Sequence, residues 1–220
     1  ITGWTTDSDN YIKIYTTATT RAKSSGWDDT RYRLSVSNAI ALSLQEQYVR
    51  VDGLQAESYD MASAIQTINH QIIATGGSYH RISNCRLRQD NNSGVTSNVL
   101  SFSDSDLTSS DIYNCIVYAR SDNQGTVDGM YVNPNAVGSA RIYNVIVYGT
   151  RNGIRDGSAT TRLNVYDTVS FNNSGADFYT PATQFNIIDY SASDDNIGTN
   201  NVAESGGGAA WPNDFEDAAN

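Results

Sequence analysis

Cysteine, histidine, proline, lysine and long apolar runs are all scarce in this sequence, and each shortage removes a class of protein. Two cysteines, Cys85 and Cys115, cannot form the dense disulfide framework that holds small secreted domains together. The only histidines, His70 and His80, flank Gly76-Gly77 with no cysteine or third histidine to complete a zinc site, and loop or surface positions are expected for both. No stretch of about 18 apolar residues exists, so no segment reads as a transmembrane helix. The first residues lack the basic start and apolar stretch of a secretion signal, which fits a mature or excised product. No serine stands in a nucleophile-elbow setting and neither cysteine has a histidine near it in sequence, so nucleophilic triads find no support.

Positive charge is also short. With 24 acidic and 14 basic residues the net charge is −10, which repels phosphate backbones and anionic lipid, so no nucleic-acid partner is expected. Acidic pairs at Asp28-Asp29, Asp104-Asp106 and Asp194-Asp195 leave Ca2+ as the one cofactor in view. None has the ordered ligand spacing of a calcium loop, and no metal site is assigned. What the chain does have is 39% hydrophobic residues over 220 positions, enough for one domain or one elongated solenoid. Fourteen tyrosines and an abundance of Ser, Thr, Asn and Gly suit an extracellular β protein, secreted or on a cell surface or virion.

Aligning the chain on itself exposes a repeat. An apolar residue, a variable one, then Asn, Asp or Gly recurs at Val51-Asp52-Gly53-Leu54, Ile82-Ser83-Asn84-Cys85, Ile112-Tyr113-Asn114-Cys115 and Ile142-Tyr143-Asn144-Val145. Weaker copies read Val165-Tyr166-Asp167-Thr168 and Ile187-Ile188-Asp189-Tyr190, and Tyr11-Ile12-Lys13-Ile14 leads the series. From Ile14 the steps are 37, 31, 30, 30, 23 and 22 residues. A second column runs between these, through Ile40, Ile65, Val99, Met130, Ile154 and Phe178.

Two columns that keep one order through every period predict a coil. Each period is a turn of short strands, apolar inward and polar outward, and stacking turns about 4.8 Å apart joins their apolar faces into one core. Asn84, Asn114 and Asn144 fit a sharp bend between strands, because Asn tolerates left-handed backbone angles; Gly53, Asp167 and Asp189 fill the same slot. The expectation is an all-β chain: a single right-handed parallel β-helix of about seven turns over residues 1–192. A Gly/Ala-rich tail follows over 193–220, extended or packed on the solenoid. A flat antiparallel sandwich is the competing architecture, and it does not explain the two registered columns.

With these ladders in place the chain resembles the right-handed parallel β-helix superfamily of pectate lyases, polygalacturonases and phage tailspikes. It is most similar to uncharacterised secreted or environmental members, through Gly3-Trp4-Thr5-Thr6, Tyr11-Ile12-Lys13-Ile14-Tyr15 and Tyr48-Val49-Arg50-Val51-Asp52-Gly53-Leu54. The resemblance covers roughly residues 3–192. It implies a fold and leaves the activity open. Lyases of that group use several carboxylates around calcium beside an Arg or Lys base. The nearest arrangement here is Asp128 with Arg155 and Asp156, whose competing reading is a bend with solvated charges on its outer face. Hydrolysis by paired carboxylates has only Asp194-Asp195 to offer.

Cys85 and Cys115 share one slot on adjacent turns, either as stacked buried thiols or as a disulfide. The strands after the Asn bend predict an apolar outer stripe of Ile116 and Tyr118, Ile146 and Tyr148, then Val169 and Phe171, beside a second ladder of Tyr113, Tyr143 and Tyr166. Such a stripe calls for cover: the tail or a loop, another protomer, or a sugar lying on the rings. The leading expectation is a non-enzymatic extracellular structural protein that assembles with copies of itself or a larger particle, as a fibre, sheath or virion component. A carbohydrate-active enzyme of lyase or depolymerase type, or a glycan-binding module with a polysaccharide partner, is the alternative.

Overall fold

The computed structural model describes residues 3–21, 27–60, 66–70, 78–91, 94–104, 107–120, 125–134, 139–157, 163–179, 185, 187–193 and 202–203. All regular structure among them is β-strand, in three sheets paired in parallel throughout. The first sheet stacks Ile12–Tyr15, Tyr48–Asp52, Ser78–Ser83, Leu107–Tyr113, Ser139–Tyr143, Leu163–Tyr166 and Ile187–Asp189. The second begins with Arg33–Ser37 and Gln55–Tyr59, continues through Arg86–Gln89, Ile116–Ala119, Ile146–Tyr148 and Val169–Phe171, and closes with Ala192–Ser193 and Val202–Ala203. The third holds Leu42–Leu44, Gln66–His70, Ser97–Asp104, Val127–Pro134, Ile154–Asp156 and Phe178–Tyr179. From Ile12–Tyr15 to Ala192–Ser193 the chain visits first, second and third sheet in rotation, so each cycle is one turn of a right-handed parallel β-helix, and Val202–Ala203 then adds a further strand to the second sheet.

Two bends turn the corners. Between the first and second sheets, Gly53, Asn84, Asn114, Asn144 and Asp167 sit at φ of 76°, 56°, 54°, 54° and 47°. A side-chain ladder ties this corner together. The Asn144 amide donates to Asn114 Oδ1 at 2.6 Å, Asn114 to Asn84 at 3.3 Å, and Asn84 to Asp52 Oδ1 at 2.6 Å. Burial alone would raise the Asp52 pKa. Donors from Asn84, Arg21 and Ser83 outweigh it and hold the carboxyl below its ordinary value. At position 53 the absence of a side chain leaves room for the Arg21 guanidinium, which a Cβ would meet at 2.2 Å. The second corner uses Asn38, Asp60, Gly149 and Asn172, also at positive φ.

The core runs down the axis. Val51, Ile82, Ile112, Ile142 and Val165 form a fully buried column on the first sheet. Leu87, Val117 and Val147 face it from the second sheet, and Ile68, Leu100, Met130 and Ile154 from the third. Each such side chain contributes about 1.5–3 kcal/mol relative to exposure.

The register differs from the sequence-based alignment in places. In the third sheet Met130 aligns with Leu100, not Val99, and the column continues to Ile68 and Leu42. Ile40 instead faces solvent, and Ile65 lies outside the described residues. In the last turn Val165 pairs with Ile188, so Tyr190, at φ 50°, takes the bend slot assigned above to Asp189. A period-2 strand punishes such slips, because one residue's shift exchanges core and solvent.

Candidate functional site

Around Asp128 a dense cluster of charged and polar side chains joins neighbouring turns. Asp128 is fully buried at the start of its strand and accepts four hydrogen bonds. Arg151 donates from Nε to Oδ1 at 2.9 Å and from a terminal nitrogen to Oδ2 at 2.7 Å. Asn152 donates to Oδ1 at 2.7 Å and Arg155 to Oδ2 at 3.1 Å. A carboxylate has about four lone-pair positions, so this one is saturated. Arg151 spends its last donor group on Thr96 Oγ1 at 2.9 Å. The structure therefore brings Asp128 and Arg155 together, as a clamp between neighbouring turns. Asp156 is apart from them: it alternates inward after Ile154 and is fully buried.

Arg155 also lies between two rings of its own column. Its guanidinium is 5.0 Å from the Tyr131 ring centroid and 5.7 Å from that of Tyr179. Gly157 lets the Tyr131 ring lie flat over the backbone, since a Cβ there would come within 2.5 Å of it. An open cavity of about 580 Å³ adjoins, lined by Thr96, Arg151, Asn152, Arg155 and Tyr179. Sequence reasoning singled out Arg155, and its column through Met130, Ile154 and Phe178 already placed Tyr131, Arg155 and Tyr179 in line, but the contact of the guanidinium with the two rings was not drawn from it.

On the second sheet, Val117 and Val147 point inward while Ile116, Tyr118, Ile146 and Tyr148 point outward. Tyr118 and Tyr148 stack at 5.0 Å between centroids with planes 3° apart, and Phe171 continues the pile at 5.5 Å. On the first sheet Tyr113 and Tyr143 stack at 4.9 Å and 3°, with Tyr166 next in register. Rings piled along the solenoid axis spend their faces on each other and turn their edges to solvent. That geometry does not offer a sugar the open ring face it stacks on. Of the eight residues of these two ladders, only Ile146 ranks among the exposed large apolar side chains.

Those side chains gather elsewhere. Among the described residues, ten large apolar side chains are exposed: Trp4, Tyr11, Tyr15, Tyr32 and Ile40 belong to the first turn, Tyr179, Ile187 and Tyr190 to the last ones, and Val95 and Ile146 to turns between. In the first turn the inward Ile12, Ile14, Leu34 and Leu42 are themselves only partly buried, while their counterparts one turn on are sealed.

The remaining candidates are structural. Cys85 and Cys115 are free, buried thiols in one column. The Cys85 amide donates to Cys115 Sγ at 3.4 Å, and burial pushes the Cys115 thiol well above its ordinary pKa. His80, expected on the surface, is fully buried on the inward side of the first sheet, 2.6 Å from the Glu46 carbonyl, and burial pushes its pKa down to about 4. The His70 side chain lies outside the described residues. Asp28 closes a local turn by accepting from the Thr30 amide and hydroxyl. Among the described residues no three His, Cys, Asp or Glu side chains group to hold a metal ion. The Asp194-Asp195 pair lies outside the described residues, as does the side chain of Asp104 with residues 105–106. Among the described residues no helix is long and apolar enough to cross a membrane. No family model matches the chain, and neither a curated protein nor a solved structure matches it.

Proposed function

We propose that this chain is a non-catalytic, extracellular β-solenoid of the right-handed β-helix type that assembles end to end with copies of itself, as part of a fibre, sheath or virion. The observation that carries the reading is the clustering of exposed apolar side chains at the two ends, around half-covered inward residues such as Ile14 and Leu34. An end turn also presents strand edges whose backbone groups only another strand can pair regularly. A second copy stacked head to tail would continue the parallel pairing of the sheets, and a heterologous contact of that kind propagates rather than closing. The commitment of Asp128 to four donors from Arg151, Asn152 and Arg155 supports the non-catalytic part, because it gives this carboxylate a structural role between turns.

Multi-angle light scattering over a hundredfold concentration range tests it. The wild-type mass should rise with concentration. Ile14→Asp combined with Ile40→Ser should hold the chain monomeric, while Ile146→Ser combined with Tyr148→Ser should leave assembly intact. A wild type that stays monomeric throughout, or assembly lost only in the second variant, would sink the proposal.

A further inference from the structure

The outward central column of the first sheet carries an unusual run of charge. Pairing places Lys13, Arg50, Arg81, Asp111 and Arg141 side by side on five consecutive turns. At the usual strand spacing of about 4.8 Å this line is roughly 19 Å long. Asp111 is committed to Arg141, whose Nε and terminal nitrogen bind its two oxygens at 2.7 and 3.0 Å, and to the Tyr79 hydroxyl. No described carboxylate lies within ion-pair distance of Lys13, Arg50 or Arg81, whereas the arginines at 21, 31, 33, 88, 120, 141, 151 and 155 all have one. In a chain of net charge −10, three cations on successive turns thus have no described carboxylate paired with them, although Arg81 donates to the Tyr79 hydroxyl at 3.5 Å.

Their setting is aromatic. Arg50 sits 3.5 Å over the Tyr11 ring, Lys13 4.8 Å over Tyr15 and Arg81 5.7 Å from Tyr113. Stacking fixes the cations without neutralising them. We infer that this face is a binding track for a linear acidic polysaccharide lying along the solenoid axis. A straight row with one cation per turn suits a polymer carrying about one anionic group per sugar, and guanidinium groups pair with carboxylate or sulfate through charge-assisted hydrogen bonds. Nucleic acid fits worse. Duplex DNA carries one charge per ~1.7 Å, far denser than the row, and meets the repulsion of the acidic remainder of the surface. Tyr11 and Tyr15 border both the track and the first-turn surface, but the cations themselves point away from the sheet and not along the axis, so binding and end-on assembly can be read separately.

Affinity electrophoresis through gels containing alginate, chondroitin sulfate, neutral dextran or single-stranded DNA tests the track, with the monomeric end variant used alongside wild type. Both proteins should be retarded by alginate or chondroitin sulfate and not by dextran, with retardation falling as salt rises; the stronger arm tells whether carboxylate or sulfate is preferred. Arg50→Gln with Arg81→Gln should weaken binding at least tenfold, and Arg50→Lys with Arg81→Lys should restore most of it. Arg33→Gln with Arg120→Gln makes the same change in net charge on the second sheet and should leave retardation unchanged. Absence of retardation in both acidic gels, equal retardation by dextran, an unaffected Arg50/Arg81 variant, or tighter retention by DNA would each overturn the inference.

Discussion

The middle turns and the end turns are built from one repeat but differ in how completely they are covered. In the middle, Ile112 and Ile142 are sealed, the Asn amides bond from turn to turn, and tyrosines consume one another's faces. At the first turn the equivalent Ile14 is only partly buried and Tyr15 is 60% exposed. A solenoid turn is thus a half-made object: its sequence supplies one surface and its neighbours supply the other. Exposed apolar surface is then located by position along the stack, not by the hydrophobicity of a strand.

That contrast can be broken most strongly in the core. Ile142→Ala should cost about 2–5 kcal/mol in urea unfolding, as other buried large-to-small changes do, and Ile14→Ala distinctly less in the isolated monomer. Equal losses would mean that the first turn is covered after all. A smaller effect is expected from pH. His80 has a folded pKa of about 4 against about 6.5 unfolded, so the unfolded chain binds its proton first as pH falls. Stability should be constant above pH 6.5 and drop by about 2 kcal/mol on going to pH 5. In His80→Gln that segment of the profile should be flat, and persistence of the same slope would assign it to other groups.

Next comes the corner. Asn114→Ala should cost about 1–2 kcal/mol, because it keeps the left-handed backbone and removes two ladder hydrogen bonds, while Asn114→Gly should recover part of the loss. The outer ladder should give the least. Tyr148→Leu keeps apolar cover but ends the stacking between Tyr118 and Phe171, for an expected loss of about 0.5–1.5 kcal/mol by thermal or urea unfolding.

The first sheet was legible in the sequence because its bend carries a chemical signature. Asn at 84, 114 and 144 recurs at a constant spacing, and the left-handed angle it must adopt restricts what else can stand there. The third sheet was harder. Val99 and Leu100 are both fully buried, so hydrophobicity could not choose between them and the register slipped by one. The second corner was missed because its bend residue changes from Asn38 and Asp60 to Gly149 and Asn172. His80 misled because a polar residue was read as a surface one, though a single backbone carbonyl suffices to hold it inside. For the candidate site, alternation alone identified which tyrosines face outward. That their faces are already occupied, that Asp128 is saturated, and that Lys13, Arg50 and Arg81 share a line are facts about contacts between turns, which only the register supplies.

The rotation through three sheets also has a mechanical consequence. The strands of each turn pair with those of the turns before and after, so a pull applied along the axis loads those junctions in series. Such a rod yields at its weakest junction while the rest stays intact. The bonded amides from Asp52 to Asn144 run along the direction of that load and share it with the backbone ladders, while the Arg151–Thr96 bond reaches across an intervening turn.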